Sequence, residues 1–143
     1  MKLRALVVDD SRVMRSMVMK EVSASGLAEF EFTEAEDGAD ALKKFHPNKI
    51  DIAFVDWNMP NMSGIEFVRR VRAMGKTEHI PLVMVTSEKT MGKIEEALDE
   101  AGANAFVSKP FTSEMLDRKL SPLVKDIEER NSSHGGFFSK LKR

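Results

Sequence analysis

Apolar and polar positions follow two alternating patterns along the chain. Short stretches rich in apolar residues, most of them nearly continuous, predict strands at residues 3–8, 30–35, 50–55, 81–85 and 103–107. The run at 30–35 alternates with acids, as an edge or half-exposed strand would. The segments between the runs carry apolar residues at three- and four-residue spacing, which is typical of helices with one buried face. This alternation predicts crossovers between parallel strands, with helices on both faces of one sheet.

Two of the predicted helices carry specific expectations. The first has a stripe formed by Met14, Met17, Val18 and Val22, and this spacing predicts that the methionines belong to the core. The last contains Pro122, which predicts a kink or an early end, because proline lacks an N–H and its ring clashes with the preceding turn.

The stretch 50–64, IDIAFVDWNMPNMSG, contains the clearest signal of a site. Its apolar run stops at Asp56, and the loop that follows is rich in turn-forming asparagine and proline. Ser63 and Glu66 then form a Ser-x-x-Glu capping box that can open a helix. This order places Asp56 at the carboxyl end of a central strand, where open α/β sheets build their sites.

Polar groups follow four of the predicted strands, and parallel strands bring these ends to one edge of the sheet. They are Asp9-Asp10, Asp56, Thr86-Ser87 and Lys109. Clustered carboxylates repel one another unless a cation neutralises them, and hard oxygen ligands favour Mg²⁺. A lysine and a hydroxyl beside such a site can hold phosphoryl oxygens. Asp56 is then the candidate nucleophile, since a carboxylate can form an aspartyl phosphate.

Each of these residues alone has a simpler interpretation. Asp9-Asp10 could cap a helix, Asp56 could be a loop acid, Lys109 a solvated charge and Thr86 a helix cap. Their joint occurrence at successive strand ends favours the site. Trp57 is predicted to be a partly exposed neighbour of the site, not a ligand.

Composition limits the classes of protein that remain. The chain has 143 residues, 42% of them hydrophobic and 31% charged, which predicts about one soluble globular domain. A net charge of −1 gives no support for binding to nucleic acid. No apolar run approaches the ~20 residues of a membrane span, and the amino terminus lacks the pattern of a signal peptide. A cytoplasmic protein without stable membrane insertion is therefore expected.

The tail from about Asn131, NSSHGGFFSKLKR, shifts to a Ser/Gly-rich and then basic composition. A flexible end is the first interpretation. The alternatives are a short docking segment that uses Phe137, Phe138 and Leu141, and a weak membrane contact.

With these residues in place, the chain resembles the response-regulator receiver domain over about residues 2–124. Its loop VDWNMPNMSG is similar to that of the CheY-type chemotaxis regulators. The resemblance implies a flavodoxin-like three-layer α/β sandwich with a five-stranded parallel sheet in the order 2-1-3-4-5. It also implies a receiver domain at 1–128, followed by a flexible tail at 129–143.

The resemblance assigns roles to individual residues. It makes Asp56 the phosphoacceptor and Asp10 a direct Mg²⁺ ligand, with Asp9 acting mostly through water and the backbone carbonyl of Asn58 completing the protein ligands. The resemblance also implies that Lys109 contacts the phosphoryl group and has a cis bond to Pro110, and that Thr86 supplies the switch hydroxyl. It places the switch aromatic at Phe106, where tyrosine is common in the family, and Ser87 at a position that usually has a small residue. Asn58 and Glu88 match positions that tune the rate of dephosphorylation.

The function implied is a stand-alone phosphorylation switch that catalyses only its own phosphorylation and dephosphorylation. A sensor histidine kinase would donate the phosphoryl group, and the output would be a protein target, with the flagellar motor switch as the first hypothesis. A phosphorelay intermediate is the near alternative. An FMN carrier of the same topology lacks its phosphate loop here, and a phosphohydrolase lacks its Asp-x-Asp pattern.

Overall fold

The computed structural model describes residues 2–87 and 91–142, and it describes side chains throughout these ranges except at 91 and 132–142. The strands are β1 (Lys2–Val8), β2 (Glu29–Ala35), β3 (Ile52–Val55), β4 (Leu82–Thr86) and β5 (Ala105–Ser108). The helices are α1 (Arg12–Ala24), α2 (Gly38–Lys44), α3 (Gly64–Ala73), α4 (Met91–Glu95) and α5 (Ser113–Lys142). A π-helical segment, Glu96–Ala101, continues directly from α4.

The strands form one parallel sheet in the order β2-β1-β3-β4-β5, so the predicted fold class is confirmed. One buried cluster joins the sheet to α2, α3 and the π-helical segment, and a second joins it to α1 and α5. Helices therefore cover both faces, which is why β3 is buried at every position. The alternating strand, β2, lies at the edge as predicted.

Strand β3 begins at Ile52, two residues later than the apolar run predicts. The backbone N–H of Ile50 donates to His46 at 3.1 Å, which keeps this residue in the preceding turn. The side chain of Asp51 accepts a hydrogen bond from the backbone N–H of Arg4 at 2.8 Å. These two bonds use the groups that a longer ladder would need.

The first three helices each begin at a side-chain cap in the loop that leaves the sheet. Ser11, Asp37 and Ser63 each accept a hydrogen bond from the backbone N–H three residues ahead, which satisfies one donor of the first helical turn. The Ser63 cap confirms the helix start predicted from the capping box. Each cap fixes the angle at which the chain leaves the sheet edge, and with it the loop that carries polar groups.

The prediction for the first helix is wrong at Met17, which is 49% exposed although it shares the stripe with buried Val18 and Val22. Met17 and Val13, which is 70% exposed, face solvent together. The predicted stripe therefore extends onto the solvent-exposed side of α1, and Val18 and Val22 are its buried members.

Of the two alternatives for Pro122, the early end is wrong, because α5 runs from Ser113 to Lys142 with the proline inside it. A kink at Pro122 stays a prediction. Val124 and Ile127, beyond the proline, are each 3% exposed. Arg130 donates to the backbone oxygen of His79 at 2.5 Å. This packing holds the helix against the sheet on both sides of Pro122. The division into a domain at 1–128 and a flexible tail at 129–143 stays a prediction.

A single arginine ties together the amino ends of β4 and β5. The guanidinium of Arg72 donates to the backbone oxygens of Thr77, Ile80 and Gly102 at 2.6, 3.0 and 3.0 Å, and to the side-chain oxygen of Asn104 at 2.7 Å. Burial lowers the pKa of Arg72. The side chain braces the edge of the sheet opposite the four polar strand ends.

Across the described part of the chain, none of the helices combines the length and the apolar character that crossing a bilayer requires.

Candidate functional site

The parallel register brings the polar residues after β1, β3, β4 and β5 to one edge. The backbone N–H of Asp56 donates to Val8 at 2.9 Å, which sets Asp56 beside the end of β1. The backbone N–H of Lys109 donates to Thr86 at 2.9 Å and sets the ends of β4 and β5 side by side. The convergence that the sequence predicts is therefore a property of the hydrogen-bonded sheet.

Three carboxylates form an acidic cluster at this edge. One oxygen each of Asp9, Asp10 and Asp56 lies within 4.8 Å of the others. Asp9 and Asp56 are 3% and 8% exposed, whereas Asp10 is open to solvent. The Oδ1 atom of Asp9 also accepts a hydrogen bond from the backbone N–H of Ser11 at 2.9 Å. The cluster thus has a fixed inner part and an accessible outer part.

An amine and an alcohol face these acids. Lys109 Nζ lies 2.9 Å from Asp9 Oδ2 and 3.5 Å from Asp56 Oδ1. The side chain of Thr86, which is fully buried, hydrogen-bonds to Asp56. The carboxylate of Asp56 is therefore bordered by both groups that the sequence places at the ends of β4 and β5.

Burial raises the pKa of Asp56 above its usual value. The Lys109 charge opposes this rise, the Asp9 charge adds to it, and the hydrogen bond from Thr86 opposes it. The net direction means that one lysine does not fully compensate for the burial and crowding of the ionised acids. A further cation at the cluster would compensate for them.

The donor set fits a divalent cation with hard-oxygen preferences. Carboxylates at several positions, with one side open to water, suit Mg²⁺, which retains much of its hydration shell. An open groove beside the cluster is lined by Asp10, Trp57, Asn58, Met59, Pro60 and Ser63. Asp9, Asp10 and Asp56, with the carbonyl of the exposed Asn58, are the groups that would hold such an ion.

The remaining predicted residues lie around this cluster. Ser87 is exposed directly after Thr86, and Phe106 is 7% exposed in the core cluster of the α3 face. The Lys109–Pro110 peptide bond is cis, as the resemblance implies. Glu88 lies outside the described residues. The geometry brings the acids, lysine and threonine together and sets Phe106 farther inside.

Trp57 differs from its prediction, because it is 5% exposed and not partly open. Lys93, on α4, places its Nζ atom 4.8 Å from the centre of the indole ring. Because Lys93 belongs to a different element, the sequence around Trp57 does not predict this contact. The indole is therefore a buried neighbour of the site that also contacts α4.

Arg15 is a residue of the site region that the sequence analysis missed. Its Nη1 atom donates to the backbone oxygen of Asp9 at 2.7 Å, and its Nε atom donates to Glu34 at 2.9 Å. Arg15 thus holds the backbone of Asp9 in place through a contact outside the acidic cluster. Its position one turn after the cap Ser11 was the available signal, because this side of α1 faces the end of β1.

Gly64 allows the loop after β3 to close tightly. A Cβ atom built at Gly64 would lie 1.8 Å from the backbone oxygen of Asp56, and the Gly64 N–H donates to Trp57 at 2.9 Å. Only a residue without a side chain permits this approach. The end of the loop at Gly64 is thereby packed against its beginning at Asp56 and Trp57.

Residues 5–121 match the protein family described as the response regulator receiver domain. The chain belongs to this family. Among its relatives, the receiver domain is 37% identical over 125 residues to the chemotaxis protein CheY of Pseudomonas aeruginosa, covering 87% of this chain and 98% of that protein. It is 38% identical over 123 residues to the chemotaxis protein CheY1 of Helicobacter pylori, covering 85% and 97%. The structure of the chemotaxis protein CheY4 of Vibrio cholerae matches with a TM-score of 0.73 and 34% identity, covering 86% of this chain and 99% of that one. The family predicted from the sequence is confirmed.

Removing the lysine of this receiver site gives a prediction with two opposite parts. In EDTA, Lys109→Met should lower the free energy of unfolding by about 2 kcal/mol, because two largely buried carboxylates lose their ammonium partner. Saturating Mg²⁺ should restore more stability to the variant than to the wild type, since the ion no longer competes with a lysine. Thermal melts in EDTA and in Mg²⁺ measure both parts. Lys125→Met, on the exposed side of α5, is the control, and equal melts for the two variants in EDTA would contradict the prediction.

Proposed function

We propose that this receiver domain is a phosphorylation switch in which a histidine kinase donates a phosphoryl group to Asp56. The observation that carries the proposal is the position of the Asp56 carboxylate, which is largely buried, 3.5 Å from Lys109 and hydrogen-bonded to Thr86. An acid with only a structural role is not expected to be surrounded by an amine and an alcohol on one side and two further acids on the other, whereas such clusters are typical of functional sites.

In the proposed step, a carboxylate oxygen of Asp56 forms a bond to the phosphorus of a phosphohistidine. The bond between phosphorus and the imidazole nitrogen breaks, and that nitrogen keeps the electron pair. Lys109 and Thr86 hold phosphoryl oxygens and orient the group for in-line transfer. Mg²⁺, when held by the acidic cluster, supplies charge neutralisation for the phosphoryl oxygens. In slow dephosphorylation, a water oxygen forms a bond to the phosphorus while the bond from phosphorus to the Asp56 oxygen breaks. Inorganic phosphate, which takes up the water proton, leaves and the Asp56 carboxylate is restored.

The proposed output surface lies beside β5. A groove of about 520 Å³ runs between the π-helical segment, β5 and α5. Its lining includes Ile94, Leu98, Phe106, Arg118 and Lys119, so it combines an apolar floor with a basic rim. Thr86 and Phe106 lie on paired strands, with Met84 opposite Phe106 in the register. Movement of Thr86 toward a phosphoryl group would therefore alter the strand pair next to the groove.

The proposed partner at this surface is a protein. The names of the relatives favour a role in chemotaxis, and the flagellar motor switch is our first hypothesis for the target. An apolar floor with Arg118 and Lys119 at its rim suits an amphipathic segment that carries acids. Phosphorylation would then shift a pre-existing equilibrium toward the form that binds this partner.

The test uses the whole chain with Mg²⁺ and acetyl phosphate as a small phosphodonor. We expect one phosphoryl group to be added, seen by intact mass, together with a change in the emission of Trp57, the one tryptophan of the chain. EDTA should prevent both changes. A chain that gains no mass while its emission and melting behaviour show a folded state would refute the proposed function.

A further inference from the structure

The loop of residues 57–63 is held by hydrogen bonds within it and by contacts with the start of α2. We propose that Asp37 and Asn61 are positioning residues for the divalent cation: their contact fixes this loop so that the carbonyl of Asn58 stays beside Asp56. The inference rests on the proposed function in taking Asn58 as a ligand. It goes beyond that function by giving a role to two residues outside the acidic cluster.

The contact between the two segments is a specific hydrogen bond. Asn61 Nδ2 donates to Asp37 Oδ2 at 3.0 Å, and the backbone N–H of Asp40 donates to Asp37 Oδ1 at 2.7 Å. Both oxygens of one carboxylate are thus engaged, one by the helix it caps and one by the loop. The bonds from Asp40 and Asn61 also lower the pKa of Asp37, so the acceptor remains ionised near neutral pH.

Asn61 has a backbone conformation that suits an anchor. Its φ of 69° lies in the left-handed region, where asparagine is tolerated better than most residues. The backbone N–H of Met62 donates to Pro60 at 2.8 Å and completes the tight reversal. Within the described residues, Lys76 is the other non-glycine residue with positive φ, at 59°.

A second contact lies next to the first. A Cβ atom built at Gly38 would lie 2.8 Å from Met62 Cγ and 2.9 Å from the Met62 backbone oxygen. The absence of a side chain at Gly38 therefore lets the first turn of α2 touch the loop backbone. The hydrogen bond and this close packing together form a clamp, defined by the cap Asp37 and Gly38 at the start of α2 and by Asn61 and Met62 on the loop.

Asn58 lies between this clamp and the base of the loop, where Gly64 N–H donates to the oxygen of Trp57. With both ends held, the carbonyl of Asn58 has little freedom before an ion arrives, so binding loses less conformational entropy. Groups that orient metal ligands without touching the ion typically change affinity by about 10–100-fold when removed. We therefore expect the half-saturation concentration for Mg²⁺ to rise about tenfold when the clamp is broken.

The decisive experiment pairs a disruptive variant with a swap. Asn61→Asp sets two carboxylates against each other and should raise the Mg²⁺ half-saturation concentration about tenfold, measured by Trp57 emission and by calorimetry. The double variant Asp37→Asn/Asn61→Asp exchanges donor and acceptor, and asparagine still caps a helix well. It should return the half-saturation concentration to within about threefold of the wild type. The maximal rate of phosphorylation at saturating Mg²⁺ should change little in either.

Two glycine variants separate the clamp from backbone strain. Asn61→Gly removes the side chain where φ is positive and should weaken Mg²⁺ binding, whereas Lys76→Gly, at the other positive φ, should leave it unchanged. In EDTA, hydrogen exchange of the backbone amides at residues 58, 59, 61 and 62 should be faster in Asn61→Gly and unchanged in Lys76→Gly.

The outcomes also distinguish this inference from the proposed function. Unchanged Mg²⁺ binding in Asn61→Asp and Asn61→Gly, with phosphorylation intact, would overturn the clamp alone. A swap variant that melts like the wild type but stays weak for Mg²⁺ would overturn it as well. If the wild type binds Mg²⁺ and the clamp variants weaken that binding, the clamp stands even where no variant takes up phosphate, and only the proposed function fails.

Discussion

Asp56→Asn is expected to take up no phosphoryl group from acetyl phosphate under conditions in which the wild type is modified completely. The amide nitrogen and oxygen of asparagine are far weaker nucleophiles than a carboxylate, while the shape of the side chain is kept. The emission of Trp57 should therefore show no response to the phosphodonor. Intact mass and emission, recorded on the same samples, measure the result.

Asp126→Asn, which removes an exposed acid from α5, is the matched control and should be phosphorylated normally. A full phosphoryl gain in Asp56→Asn would show that another residue accepts the group and would contradict the assignment.

The same substitution should stabilise the metal-free fold. The pKa of Asp56 is raised by burial, so the folded state holds its proton more strongly than the unfolded state does. The stability contributed by this group is present below the unfolded pKa, near 3.8, and is lost as the pH rises through the folded pKa. At neutral pH the wild type therefore carries the full cost of ionisation. Asp56→Asn should gain about 1 kcal/mol there.

Denaturant titrations in EDTA at several pH values measure this gain. It should shrink as the pH falls through the folded pKa and vanish below about 3.8, where the wild-type carboxyl is protonated in both states. Saturating Mg²⁺ should reverse the order by stabilising the wild type more than the variant, since the ion binds the folded state. A gain that is constant across the whole pH range would contradict the electrostatic explanation.

Gly64→Ala should have the largest effect on folding of any single methyl group added near the site. Its Cβ atom would lie 1.8 Å from the backbone oxygen of Asp56, so the backbone on one side has to move by more than 1 Å to restore ordinary contact. We expect a loss of about 3 kcal/mol or more in the free energy of unfolding. Mg²⁺ binding should weaken too, because the displaced atoms belong to the peptide of Asp56 itself.

Gly92→Ala is the control, since a Cβ atom there meets nothing within 4 Å and the residue lies within α4. It should be neutral or gain about 0.5 kcal/mol, because alanine favours the helix. Thermal melts and Mg²⁺ titrations of the two variants side by side measure the difference. Equal stability for both would show that the loop yields more easily than the contact distance indicates.

The sheet and the converging strand ends could be predicted from the sequence because they depend on local patterns. Apolar runs and cap residues report the elements directly, and parallel pairing then fixes where Asp56 and Lys109 meet. The exposure of Trp57 and of Met17 could not be predicted in this way. Trp57 belongs to the buried core cluster and contacts Lys93 of α4, whereas Met17 lies on the exposed side of α1. Both depend on how distant elements pack together.

Contacts between distant segments account for the other misses. Pro122 was judged by its local effect on the helix, but buried residues on its carboxyl side hold α5 in place. The bond between Asp37 and Asn61 joins two loops that are 24 positions apart, and neither residue stands out in its own segment. Patterns along the chain carry little information on such pairs, because one hydrogen bond leaves no periodic trace.

The arginine that braces the amino ends of β4 and β5 has a mechanical consequence. A strand that is held at one end has its largest displacements at the other end. Those ends carry Thr86 and, next to it on β5, Ser108. In the proposed switch, movement of Thr86 toward a phosphoryl group would therefore tilt the pair of strands about Arg72, and the helices packed on these strands would move with them. Without the hydrogen bonds of Arg72, the same movement of Thr86 would shift both strands as a unit and would not tilt them.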